Sequence, residues 1–156
     1  NNEMDDFSVK PGVPNMYGAV GGEANAIAPG KRMLSSMTPT IVLRDGKPYL
    51  VIGTPGGTTI PTSDLQTIIN VIDFKLGIED AVNKPKFHHQ WLPDLIYVEK
   101  DFPAETIAGL EAMGYKISRR EQIGRMEVIR INRKGKKKIS MEAVGDKRGD
   151  DDARTF

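Results

Sequence analysis

Two short, continuously apolar runs, Thr40-Ile-Val-Leu43 and Tyr49-Leu-Val-Ile52, stand on either side of Arg44-Asp45-Gly46-Lys47. Their β-branched and aromatic residues favour extended backbone, and Asp-Gly favours the positive φ angles of a tight hairpin turn. The chain is therefore expected to be organised around a β-hairpin. Unbroken apolarity, in place of alternation, predicts strands covered on both faces.

The rest of the chain must supply that cover. After Pro61, Leu65, Ile68, Ile69, Ile72 and Leu76 recur at helical spacing and predict a helix that buries them. Thr62 or Ser63 can cap it, with Asp64 well placed against its dipole. A second short helix is expected from about Glu79 to Lys84, stopping before Pro85. A third is expected from Asp101 to Met113, capped by Asp101, with Ile107, Leu110 and Met113 inward and Gly114 ending it. Strands are expected at Leu95 to Val98, at Met126 to Ile131, and through Ile139, Met141 and Ala143, the last two joined by a hairpin across Arg133 to Lys138. Residues 10–32, with three prolines and five glycines, read as a loop, and residues 146–156 as a charged tail. Strands and helices mix without regular βαβ alternation, so the expected class is α+β, within one domain over residues 1–156.

Several functions are disfavoured at once. A formal charge of +1 gives no large field for nucleic acid or an anionic membrane. The basic run Arg133-Lys-Gly-Lys-Lys-Lys138 has no interleaved aromatic and reads as a solvated turn. No apolar run approaches the roughly 18 residues of a membrane span. The first residues do not read as a signal peptide, and the start at Asn1-Asn2 suggests a processed or cut chain. With no cysteine, there is no disulfide, cysteine–zinc site or cysteine nucleophile.

Four segments could carry chemistry. Gly56 and Gly57, after a strand and before a helix, can present successive backbone N–H groups to a developing oxyanion, or simply make a turn. Ser35 and Ser36 could bind a carboxylate, or satisfy local backbone groups. Glu3, Asp5 and Asp6 could bind an ammonium group or a metal, or form a solvated acidic terminus. His88 and His89, in Phe87-His-His-Gln-Trp-Leu-Pro93, lack any recognised metal spacing and read as structural hydrogen-bonding residues.

The order of these segments is more specific than any one of them. Asn1-Asn-Glu-Met-Asp-Asp-Phe7, Leu34-Ser-Ser-Met37 with Pro39-Thr40, Gly53-x-Pro-Gly-Gly57 and Phe87-His-His-Gln-Trp-Leu-Pro93 together resemble the small subunit of gamma-glutamyltranspeptidases, from Asn1 nearly to the tail. There, Asp146-Lys-Arg148 is similar to the family's Asp-Pro-Arg segment, with Lys147 for proline. The resemblance implies most of the small-subunit half of an αββα sandwich of the N-terminal-nucleophile hydrolase type. It implies an autoprocessed precursor whose new N-terminal threonine attacks glutathione or another γ-glutamyl compound, passing the glutamyl group to water, an amino acid or a peptide. The alternatives are a related amidase, acylase or poly-γ-glutamate-processing enzyme, or a non-catalytic binding or assembly domain. Glu3 and Asp6 would hold the substrate's α-ammonium, Ser35 and Ser36 its α-carboxylate, and Gly56 and Gly57 the oxyanion, with no cofactor or metal. The partner would be the large subunit of the same precursor. By likeness to bacterial members, the location would be periplasmic or secreted. The threonine-led strand would lie upstream of Asn1, so this chain alone is expected to be inactive. Asp64 stands where the family pattern calls for an apolar residue.

Overall fold

A computed structural model describes residues 4–135 and 138–154. Its class is α+β, as expected. A four-stranded antiparallel sheet runs in the order β1 (Thr40–Arg44), β2 (Lys47–Gly53), β6 (Glu127–Lys134), β7 (Lys138–Val144). A smaller sheet runs β3 (Phe87–His88), β4 (Ile96–Glu99), β5 (Ile117–Arg120). The helices are α1 (Ile60–Ile72), α2 (Ile78–Asn83) and α3 (Ala104–Ala112).

The expected hairpin is present, and Asp45 and Gly46 both adopt positive φ, 52° and 70°. Its two faces differ. Leu50, Ile52 and Val128 point into the core with Val71, Ile78, Ala81, Val82 and Met126. On the other face the register aligns Ile41, Val51 and Ile129 in one row across β1, β2 and β6. That row is bare, with Ile41 61% exposed. The expectation of cover on both faces therefore fails within the described residues. Helices cover one face of this sheet, so the arrangement amounts to one α layer on one β layer.

Helix α1 corrects a second expectation. Its buried residues are Ser63, Asp64, Thr67, Asn70 and Val71. At about 100° per residue these lie opposite the stripe centred on Leu65, which is 56% exposed. Of that stripe, Ile68, Ile72 and Leu76 still pack against the core. Two of the buried polar side chains find local acceptors. The Thr67 hydroxyl donates to Ser63 O (2.9 Å), and Asn70 Nδ2 donates to Ala81 O (3.4 Å). The helix starts at Ile60, with Pro61 in the first turn and no side-chain cap, so neither Thr62 nor Ser63 serves as one. Asp64 faces inward, away from the solvated helix start.

The other helices sit near their expected positions. In α3, which follows Pro103, Ile107 is buried and Leu110 packs beside it, but Met113 lies in solvent.

The charged tail begins inside the protein. Arg148 donates to Glu99 through Nε and Nη2 (both 2.6 Å), and to Asp146 through Nη1 (2.9 Å). Glu99 also accepts the N–H groups of Lys86 and Ile123, and Asp146 accepts that of Met126. Burial alone would push the Glu99 carboxyl up, but the guanidinium and these N–H groups together hold it below the usual range. The cluster ties β4, the segment before β6 and the tail into one unit. Lys86 is buried beside it with Nζ on Val82 O, and burial followed by the Arg148 charge pushes it down to about 8.

Candidate active site

The Gly56-Gly57 turn joins β2 to α1. The Thr59 N–H and hydroxyl both donate to Gly56 O, at 3.1 and 2.9 Å. In a trans peptide the carbonyl and the following N–H point in opposite directions. With Gly56 O held toward Thr59, the Gly57 N–H is directed away from the helix. Among the described residues no backbone or side-chain acceptor takes it. Gly56 and Gly57 have φ of 146° and 57°, which side chains resist. A Cβ at Gly57 would lie 2.6 Å from Tyr17 Cδ1, so the ring of Tyr17 covers this glycine.

Tyr17 belongs to the glycine- and proline-rich loop, which is folded on itself. Asn15 Oδ1 accepts the N–H groups of Tyr17 and Ala19, and Gly12 N–H donates to Gly21 O. Gln90 then locks three segments together. Its Nε2 donates to Tyr17 O (3.2 Å), and its Oε1 accepts the Thr58 hydroxyl (2.7 Å) and lies 2.9 Å from His88 Nε2. An amide oxygen only accepts, so His88 Nε2 carries a proton, while Nδ1 lies 2.8 Å from the Thr62 hydroxyl, which also donates to Thr59 O (3.0 Å). Burial lowers the His88 pKa. The histidine is thus a structural link between α1 and Gln90, as its surroundings in the sequence suggested.

A second group forms around Asn25. Its Nδ2 donates to Asp6 O (2.6 Å), its Oδ1 accepts Leu34 N–H (3.1 Å), and its own carbonyl accepts Ser8 N–H (3.0 Å). One side chain thus clamps the acidic segment to the residue preceding Ser35 and Ser36. Asp6 Oδ2 is buried without a hydrogen-bond partner among the described residues. Ser35 and Ser36 are exposed, and Ser35 Oγ accepts Met37 N–H (3.4 Å). Glu3 lies outside the described residues. Asn25, Tyr17 and Gln90 had not been singled out from the sequence, although Gln90 lies inside the quoted Phe87 to Pro93 segment.

The arrangement offers an acceptor-rich segment beside two hydroxyls, and a separate outward N–H on a glycine turn. Among the described residues, no group of three His, Asp or Glu side chains could hold a metal ion, and no helix is long and apolar enough to cross a membrane.

The gamma-glutamyltranspeptidase family model matches residues 1–156. The chain is 55% identical over 135 residues to the glutathione hydrolase proenzyme of Escherichia coli K12, covering 86% of this chain and 23% of that protein. It is 49% identical over 153 residues to the glutathione hydrolase proenzyme of Pseudomonas aeruginosa, covering 96% and 27%. The chain thus spans only 23% and 27% of the lengths of these two relatives. A crystal structure of Helicobacter pylori gamma-glutamyltranspeptidase, a T380A mutant, superposes with a TM-score of 0.90 at 50% identity, covering 96% of this chain and 80% of that one. The chain belongs to the gamma-glutamyltranspeptidase family.

Proposed function

We propose that the chain is the greater part of the small subunit of an autoprocessed enzyme that cleaves γ-glutamyl amide bonds, glutathione among them. A free γ-glutamyl head is a zwitterion and needs acceptors for its ammonium and donors for its carboxylate. Glu3 and Asp6 provide the first, and Ser35 and Ser36 the second. The observation that carries this reading is the Asn25 clamp, which holds the Asp6 segment against the start of the serine segment. The unpartnered, buried Asp6 Oδ2 is poised for a cationic donor.

The reaction follows from these roles. A threonine hydroxyl, from the threonine-led strand that opens the small subunit, attacks the γ-carbonyl. The carbonyl oxygen becomes an oxyanion, which the backbone N–H groups of Gly56 and Gly57 stabilise. Because Gly56 O is already held by Thr59, the Gly57 donor is oriented before substrate arrives, and no reorganisation is needed as charge develops. The threonine's own amino group takes the hydroxyl proton and passes it to the leaving nitrogen, so collapse expels the neutral amine and leaves a γ-glutamyl ester on the threonine. Water, an amino acid or a peptide then takes the glutamyl group. The large subunit covers the bare sheet face and the outward stripe of α1, both too apolar for solvent.

The test is Asp6→Asn in the complete enzyme. A neutral amide in place of the carboxylate should lower kcat/KM for a γ-glutamyl anilide about ten- to a hundredfold, at an unaltered melting temperature. An unchanged kcat/KM in the folded variant would remove Asp6 from the head-group site.

A further inference from the structure

Beside the glycine turn lie two clefts of about 370 and 240 Å³, both of which include Gly56 and Arg120 in their walls. The larger is lined by Pro55, Thr59, Gln122, Gly124 and Arg125 besides those two. Its wall holds two guanidinium groups, one amide and no carboxylate. Gly124, at φ 70°, forms part of it because a Cβ there would meet Ser63 Oγ at 2.6 Å. Arg125 is partly neutralised by Asp151, at 3.0 Å from its Nε. Arg120, at the end of β5, makes no ion pair or side-chain hydrogen bond among the described residues. The smaller cleft continues past Arg120 to Tyr17, Gln90 and Tyr97, so the aromatic loop closes its far side.

We infer that Arg120 marks the subsite for the amine half of the reaction, binding the terminal carboxylate of the amino acid or peptide that leaves, or receives, the γ-glutamyl group. This rests on the reading above, which puts the reacting carbonyl at Gly56 and Gly57. The nitrogen of the scissile amide is then bonded to that same carbon. In a γ-glutamyl amino acid, the carboxylate lies one residue from that nitrogen, and in a dipeptide leaving group about 3.5 Å further. Arg120 shares the walls of both clefts with Gly56, whereas the acidic segment recognises the opposite end of the substrate. A guanidinium matches a carboxylate with two parallel N–H donors, and Gln122 adds an amide donor beside it. The side chain of the leaving or incoming residue needs no fixed partner in an open cleft, so the subsite reads the carboxylate and tolerates different residues.

The experiment compares glutathione with its glycine amide in the complete enzyme, as the ratio of the two kcat/KM values. The γ-glutamyl head and the chemistry are common to both substrates, so general damage cancels in the ratio. The wild type should prefer the free carboxylate, Arg120→Gln should lower the ratio about tenfold, and Arg120→Lys should restore part of it. A ratio unchanged in Arg120→Gln, or lowered equally by Arg125→Gln, overturns the assignment to Arg120. A wild type that turns over neither substrate nor a γ-glutamyl anilide fails the earlier reading instead, a result distinct from either.

Discussion

Asp64 is the residue whose replacement should most improve this protein. It is 3% exposed on the inner face of α1, and neither carboxylate oxygen has a hydrogen-bond partner among the described residues. Burial pushes its pKa from 3.8 up to about 6, and the Thr40 hydroxyl nearby, whose hydrogen bond goes to Thr38 O (3.1 Å), offsets only a smaller part. The sign follows from linkage. The folded state binds this proton more tightly than the unfolded chain, so the stabilising contribution is complete below pH 3.8 and is lost as pH rises through about 6. A shift from 3.8 to about 6 corresponds to about 3 kcal/mol at neutral pH, an upper bound because entering water and local relaxation reduce it. Asp64→Val removes the charge and places an apolar side chain in this buried position. Its melting temperature should exceed that of the wild type by up to about 6–12 °C at pH 7.5. The gap should shrink steadily between pH 6 and pH 4. Asp64→Asn, equally uncharged and nearly isosteric, should show the same pH trend. The assay is thermal unfolding of the three proteins at pH 4, 5, 6 and 7.5. A gap independent of pH would refute the argument from ionisation. A wild type more stable than both variants at pH 7.5 would show that the carboxylate is paired by a donor in the complete enzyme.

Two further substitutions follow from contacts in the fold. Gly57→Ala should lower kcat about a hundred- to a thousandfold in the complete enzyme, since a methyl group at φ 57° collides with Tyr17 and turns the peptide. In a Tyr17→Ala background the collision disappears, and kcat measured per folded site should recover in part; a melting defect with undiminished kcat would make Gly57 a turn residue only. Arg148→Gln should cost about 3–5 kcal/mol by leaving Glu99 and Asp146 buried without their cation. Arg148→Lys should not rescue it, because one ammonium cannot serve Glu99, Asp146, Val82 O and Lys84 O together, and equal melting temperatures for wild type and either variant would refute this.

What was legible in the sequence was local. Asp45-Gly46 announces its own turn through the conformations those two residues tolerate, and the alternation through Ile139, Met141 and Ala143 announces β7. Gly56-Gly57 was legible for the same reason, since an outward N–H needs only a turn and a helix start. The clamps were not legible. Asn25 reaches Asp6 across 19 residues, Gln90 reaches Tyr17 across 73, and Arg148 reaches Glu99 across 49. Nothing in the spacing of an asparagine or glutamine shows which distant carbonyl it will meet. The charged tail concealed a buried ion cluster for the same reason, because pairing in space decides whether a charge can be buried.

The inverted face of α1 has a different cause, and it bears on how the whole enzyme is built. Periodicity finds an apolar stripe but does not say what the stripe meets. In a single layered domain the apolar side of a helix faces its own sheet. Here the buried face carries Ser63, Asp64, Thr67 and Asn70 beside Val71, and Leu65 faces out. The sheet shows the same asymmetry, with Leu50, Ile52 and Val128 inward and Ile41, Val51 and Ile129 on the bare side. In an αββα sandwich each β layer packs helices on one face and a second β layer on the other, which is where the bare row belongs. Helix α1, which starts just after the Gly56-Gly57 turn, then lies between its own sheet and further polypeptide. On the proposed reading, the apolar surfaces that a pattern search would assign to an internal core are surfaces of assembly. Asp64 is a charge on the one face of α1 that the chain itself buries.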